Sequence, residues 1–231
     1  MDRVQKILAN EGICSRRKAE ELIQQKQVRV NGKIAVIGQK ADLATDRIHV
    51  NGELVMPVKK RYIILNKPKG IISEARDALG RGTVVNLLRQ KGVKDYLIPV
   101  DKIDRNMEGL ILLTNDGEIA QRVMHPRFEI QKTYRLKLNK VLTDGHAERL
   151  ERGIVTKQKT MLRPVHLKRR GLIVEISTHQ SKDLLFHVLS DLHYEIIFAV
   201  RISIGTVNLH GLKPGDYRDL TKEEIEWFRQ H

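Results

Sequence analysis

The stretch PVDKIDRNMEGLILLTNDG, residues 99–117, sets one acid, Asp104, just ahead of a Gly-Leu-rich apolar run. A carboxylate at the mouth of a strand that reads as fully buried has two uses. It can shape a turn, or it can act as a base or nucleophile, with the strand giving rigidity and the loop giving access. Asn115-Asp116-Gly117, at the other end of the run, is turn chemistry and needs no further role. In MHPRFEIQKTYRL, Lys132 and Tyr134 alternate along a strand and therefore share one face. The ring could stack on a nucleobase there, although half-buried strand packing is the plainer reading. CSRRKAEELI places Arg16, Arg17 and Lys18 in the first turn of a helix. The helix macrodipole favours acids at that end, so a cluster of cations suits contact with phosphates. Backbone amides at the same helix start could add to it. A solvated charged turn is the plainer alternative. LNKPKG, Leu65 to Gly70, reads by itself as a strand end punctuated by Pro and Gly.

The elements around these residues follow from pattern. VQKILANEG has Val4, Ile7 and Leu8 at helical spacing and Gly12 to end it. Ser15 is a good N-cap for RRKAEELIQQK. Val28 and Val30 alternate with polar residues before an Asn31-Gly32 hairpin turn, and RIHVNGELV repeats the device with Asn51-Gly52. PVKKR, residues 57–61, reads as a linker. Beyond it strands and helices mix. YIILNKP, GLILLTNDG, KTYRLKLN, LIVEIST and EIIFAVRISIGTVNL read as strands. GTVVNLLRQKG, GEIAQRVMHP, KDLLFHVLSDLHY and TKEEIEWFRQ, the last capped by Thr221, read as helices. The expectation is an α+β protein. A small domain of two helices plus short strands, residues 1–58, precedes a larger one with a mixed, largely antiparallel sheet, residues 59–231.

Composition narrows the partners. Of 231 residues, 41% are hydrophobic, enough for a packed core. Lys and Arg number 42 against 28 Asp and Glu, a formal net charge of +14, so a polyanion such as nucleic acid is the first partner to consider. Aromatic residues at 4% argue against a broad stacking platform for single strands. A single cysteine, Cys14, excludes an internal disulfide and a Cys-rich metal site and fits a reducing compartment. No apolar run approaches the roughly 20 residues that span a bilayer. A cytoplasmic protein with no membrane contact is expected.

Two resemblances sharpen this. Asp2 to about Leu54, with SRRKAEELI followed by V-x-V-N-G, resembles the S-four RNA-binding domain. That resemblance implies RNA contacts from Arg3, Ser15, Arg16, Arg17 and Lys18, with Arg29 and Lys33 on the following hairpin. Nearly the whole chain resembles the RsuA/RluB-type ribosomal RNA pseudouridine synthases. The likeness is carried by NKPKG, KIDRNMEGLILLTNDG, MHPRFEIQKTY and the tail GLKPGDYRDLTKEEI. It implies isomerisation of a uridine in ribosomal RNA, with the large subunit favoured, by an aspartate acting on a base taken out of its stack. On that match Asp104 is catalytic. Lys102, Gly109, Leu110, Lys132, Tyr134, Asn66 and Lys67 form the substrate-binding set, with Tyr134 stacking on the uracil. No cofactor or metal is implied. The implied partner is ribosomal RNA or a pre-ribosomal particle, met by a monomer.

The chain departs from the family pattern beside Asp104. Lys102 and Ile103 stand for an Arg-Leu pair, and Lys lacks the bidentate fork of Arg. Met107 stands where a hydroxyl residue is usual. The family's basic run is HQSKDLLFHVL here, His179 to Leu189, with Lys182 and His187 remaining and Asp183 added. In the family a basic residue from this helix neutralises the aspartate. Unpaired and buried, Asp104 would tend to a protonated, inert state. Lys102 or His187 are the expected substitutes, and a cationic nitrogen within about 4 Å of the carboxylate would mark a repaired site. Without one, the alternative is a non-catalytic RNA-binding or ribosome-assembly factor on the same fold.

Overall fold

The computed structural model describes residues 1–156 and 159–231. They divide into two compact units. One holds Met1–Arg61 together with Lys94–Leu97 and Thr114–Gly117; the other holds the remaining residues.

The first unit opens with α1 (Val4–Asn10) and α2 (Arg16–Gln24). The Ser15 hydroxyl accepts the Lys18 amide at 3.2 Å, the N-cap expected from its position. Four short strands follow, β1 (Val28–Val30), β2 (Lys33–Ile34), β3 (Ile48–Val50) and β4 (Glu53–Leu54), in the sheet order β2-β1-β3-β4. Both Asn-Gly pairs turn with positive φ, 51° and 79° at Asn31-Gly32 and 52° and 87° at Asn51-Gly52. That backbone matches the right-handed twist of a tight hairpin. Val4, Leu8, Ala19, Val28 and Ile48 are fully buried between helices and sheet. The segment 57–61 is tied down at its start, where the Val58 amide donates to the Glu11 carboxylate at 2.7 Å.

The second unit is built on one mixed sheet. Its main strands are β5 (Tyr62–Lys67), β6 (Glu108–Thr114), β7 (Lys132–Leu138), β8 (His166–Arg170), β9 (Ile173–Thr178), β10 (Ile196–Ile204) and β11 (Tyr217–Asp219). They lie in the order β8-β9-β7-β10-β6-β5-β11. The pairings β8–β9, β9–β7, β7–β10 and β5–β11 are antiparallel, and β10–β6 is parallel. Its helices are α3 (Val84–Gln90), α4 (Gly117–Met124), α5 (Asp144–Arg152), α6 (Lys182–Asp191) and α7 (Lys222–Gln230). Strands β5 and β6 sit inside the sheet, which is why both read as continuous apolar runs. Strand β7 alternates instead, burying Lys132, Tyr134, Leu136 and Leu138 and turning Arg135 and Lys137 outward. The sequence pattern did not mark α5, β8 or β11. Helix α5 buries only Ala147 and Leu150, too narrow an apolar stripe to stand out.

Gly109 decides how closely two strands approach. Its φ is +110°, and a Cβ there would lie 2.3 Å from the carbonyl oxygen of Arg201, its register partner across the parallel β6–β10 pair. Only glycine permits that contact.

Candidate active site

Asp104 lies on the loop that leads into β6, not at a buried strand mouth. Its side chain is 59% exposed. Its carbonyl accepts the Met107 amide at 3.1 Å, so the residue also shapes a turn. The loop is held from both sides. Before Asp104, the Ser73 hydroxyl donates to the Ile103 carbonyl at 2.6 Å and accepts the Ile103 amide at 3.3 Å. After it, Gly70 N donates to the Arg105 carbonyl at 2.8 Å, and Arg105 Nε returns a bond to the Gly70 carbonyl at 3.0 Å. Lys67 Nζ reaches the same Arg105 carbonyl at 3.3 Å, and those of Ile71 at 2.8 Å and Pro68 at 3.2 Å. Three ammonium donors thus meet three main-chain acceptors. Burial lowers the Lys67 ammonium to about 8, with Glu108 and Asp104 pulling the other way.

The cation facing Asp104 is Lys182. Its Nζ lies 3.0 Å from the carboxylate and 2.5 Å from that of Asp183. Lys182 opens α6, whose N-cap Ser181 accepts the Leu184 amide at 3.3 Å. A lysine at a helix start is unfavourable for the macrodipole, and the two carboxylates offset it. Burial pushes the Lys182 ammonium down, but hydrogen bonds with Asp183 and Asp104 outweigh it and leave the group above its ordinary value. The two expected substitutes pair with other acids, although Lys102 and Glu74 both line the same cavity as Asp104. Lys102 pairs with Glu74. His187 lies 3.7 Å from Asp191, on its own helix.

Asp104 and Lys182 border a cavity of about 430 Å³ that also meets Ser73, Asp101, Lys132 and Tyr134. Behind it sits a buried charge cluster that sequence patterns missed. Arg201 is fully buried in β10. It donates Nε to the Leu110 carbonyl at 2.8 Å and Nη2 to the Asp101 carbonyl at 2.6 Å, and its Nη1 pairs with the Asp101 carboxylate. Lys132 Nζ meets the same carboxylate at 3.1 Å. Lys132 therefore supports the site through Asp101 and not by direct contact with Asp104. Asp101 itself has φ +52°, a conformation rare outside glycine and held here by its two cations. The lone arginine in the apolar run FAVRISI was the available signal, because a buried guanidinium requires partners.

The other expected substrate residues take different places. Tyr134 is 1% exposed, with its ring edge-on to Phe186 at 6.2 Å. Burial pushes its phenol up, with Arg201 opposing and Asp101 adding to the rise. Met107 is buried in the same apolar cluster as Tyr134. Leu110 belongs to the separate cluster with Tyr62, Leu112 and Phe228, away from the Asp104 cavity. Asn66 is spent on structure, donating to the Leu212 carbonyl at 2.7 Å. Asn66, Lys67, Gly109 and Leu110 thus build the framework of the site and do not line its cavity. Among the described residues no group of three or more His, Cys, Asp or Glu could hold a metal ion.

In the first unit Arg3, Ser15, Arg16, Arg17, Lys18, Arg29 and Lys33 are all exposed. Ser15 is occupied by its cap. Lys18 pairs with Glu21 at 2.8 Å, which raises its ammonium. Arg29 donates to the Gly32 carbonyl at 2.8 Å, across its own hairpin turn.

Comparison with known proteins adds independent findings. Residues 61–200 match the family model described as RNA pseudouridylate synthase, and residues 2–40 match the S4 domain. Ribosomal large subunit pseudouridine synthase B of Bacillus subtilis is 36% identical over 99% of this chain and 96% of its own length. An uncharacterised RNA pseudouridine synthase of Aquifex aeolicus is 35% identical over 96% of this chain and 92% of its own. A crystal structure of a pseudouridylate synthase superposes with a TM-score of 0.68, covering 99% of this chain and 100% of that one at 24% identity, which is a likeness of fold. Among the described residues, no helix is long and apolar enough to cross a membrane.

Proposed function

Since this chain belongs to the RNA pseudouridylate synthase family, we propose that it converts a uridine of large-subunit ribosomal RNA to pseudouridine, with Asp104 as the catalytic residue. The reaction is an isomerisation. The bond from ribose C1′ to uracil N1 breaks, the base turns, and a bond from C1′ to C5 forms. The C5 proton is lost and N1 gains one, so no atom is added or removed. Three roles for the carboxylate serve this chemistry: attack on C1′, attack on the base, or removal of the ribose 2′ proton. Each needs an anion held against an extruded nucleotide.

The observation that carries the reading is the Asp104–Lys182 pair on the border of a cavity. Lys182 sets a positive charge 3.0 Å from the carboxylate, where it can orient it towards a bound nucleotide. Lys182, a basic residue that the altered stretch from His179 to Leu189 retains, stands in for the arginines lost from it, which weighs against a purely non-catalytic RNA binder. Tyr134 and Lys132 back the cavity, Tyr134 as a packed ring beneath its wall and Lys132 through its pair with Asp101. Arg16, Arg17 and Lys18 give the first unit its phosphate contacts, with Arg3, Arg29 and Lys33 beside them.

The test is pseudouridine mapping of ribosomal RNA from cells with the gene, without it, and with it restored as wild type or Asp104→Ala. One site should lose its modification on deletion, regain it with the wild type, and stay unmodified with the variant. A deletion that leaves every site modified, or an alanine variant that restores one, would overturn the assignment. Loss of a small-subunit site would correct the target alone.

A further inference from the structure

A second cavity, of about 330 Å³, adjoins the first and shares Asp101, Lys132 and Ser181 with it. The two spaces therefore have wall residues in common. Val123, Met124, Pro126, Ile130 and Leu184 give the second cavity an apolar side, and His125, Arg163 and His179 give it a polar one. The polar side is built deliberately. Glu129 ends a short 3-10 turn with φ +48°, in the left-handed region that costs a non-glycine residue free energy. From that position its carboxylate holds Arg163 at 2.7 Å and its carbonyl meets His179 Nδ1 at 2.6 Å. A carbonyl only accepts, so the His179 proton sits on Nδ1. His125 Nδ1 accepts the Arg127 amide at 3.2 Å, which leaves Nε2–H as a donor. Gln180 fixes the loop from the other side, accepting the Arg163 amide at 2.6 Å and donating to the Met161 carbonyl at 3.0 Å.

An apolar slot with cationic and N–H donors at its edge is complementary to a nucleotide, whose base has apolar faces, an acceptor-bearing edge and a phosphate. Because it shares wall residues with the Asp104 cavity, it is placed for a neighbouring residue of the same strand. We propose that this cavity takes the single unstacked nucleotide adjacent to the target uridine, and that His125 and Arg163 are specificity-determining residues that read it. The proposal rests on the assignment of the Asp104 cavity to the target uridine. A flanking base docked here would help pull the target out of its stack and fix its register over Asp104.

The experiment is a protein–RNA double-mutant cycle. The substrate is a ribosomal RNA fragment spanning the mapped uridine, made intact or with an abasic ribose immediately 5′ or 3′ of it. The wild type, His125→Ala and Arg163→Ala are each assayed for kcat/KM and for RNA Kd. The wild type should lose roughly tenfold or more in kcat/KM on one of the two abasic RNAs, the scale of one lost base contact. The variants should lose comparably on intact RNA and little further on that same abasic RNA. Losses that multiply, or a wild type indifferent to both abasic positions, would overturn the proposal. Asp104→Asn separates the premise from the inference. If it still turns over, the assignment of Asp104 fails, while the flanking-base coupling remains measurable in the wild type. If it is inert and the coupling is absent, only the second cavity is refuted.

Discussion

At the scale of the residue, the decisive contact is one ammonium shared by two carboxylates. Lys182 and His187 are five positions apart on α6, about 140° around a helix at 3.6 residues per turn. Only one of them can face Asp104, and the fold selects Lys182. From sequence Lys102 or His187 was the expected partner and Lys182 was not singled out, because the choice depends on which face of α6 packs inward. Asp183 complicates the pair, since Lys182 divides its charge between an acid in the site and an acid beside it. Lys182→Met should lower kcat by about 100-fold or more, the cost of removing one preorganised charge, while leaving RNA Kd unchanged. Lys182→Arg should recover part of the loss. Asp183→Asn should leave the cation to Asp104 alone and hold or raise kcat. The raised Lys182 ammonium stays charged beyond its ordinary value of 10.5. Any fall in rate between pH 8 and pH 10 therefore belongs to another group, and a pH–rate profile that gave Lys182→Arg and the wild type different limbs in that range would contradict this.

At the scale of the element, NKPKG shows why a motif can be visible while its work is not. Pro68 and Gly70 read correctly as the end of β5, yet Lys67 read as a substrate contact. Its amino group instead caps three carbonyls and secures the loop carrying Asp104. Alternation and caps made β1, β7, α2 and α7 legible, because local chemistry decides them. Arg201 was hidden for the opposite reason. Its partners, Asp101 and the Leu110 carbonyl, are about a hundred residues away in the chain, and no local pattern reports them. Burial of Lys67 has a measurable sign. Below about pH 8 both the folded and the unfolded chain carry its proton; between about 8 and 10.5 only the unfolded chain does. Stability contributed at this position therefore rises with pH across that window. Denaturant unfolding of the wild type and Lys67→Met should differ by an amount that moves in the wild type's favour from pH 8 upward, approaching about 3 kcal/mol when complete. A difference that is flat or moves the other way would mean that Lys67 keeps its proton in the fold. Gly109→Ala tests the β6–β10 approach in the same assay. A methyl group pressed against the Arg201 carbonyl should cost at least about 3 kcal/mol, with loss of activity following loss of the fold.

At the scale of the whole molecule, the excess of 14 positive charges serves two different tasks. Within the second unit many cations are paired in place, as Arg201 and Lys132 are on Asp101 and Lys182 is on Asp104. Those charges fix geometry and contribute little to long-range attraction. In the first unit Arg16 and Arg17 open α2 and stand exposed, with the helix amides beside them. The two populations should separate in a salt titration. Each phosphate contact contributes a slope of about 0.7 to 0.9 in log K against log salt. Arg16→Ala combined with Arg17→Ala should weaken RNA binding and flatten that slope by about 1.5, with kcat at saturating RNA unchanged. Lys182→Met should do the reverse, lowering kcat at an unchanged slope. A double alanine variant that kept the full slope would remove the start of α2 from the RNA interface. One that lost kcat at saturating RNA would show that the first unit does more than hold the substrate, because the chemistry would then depend on contacts made far from Asp104 in the chain.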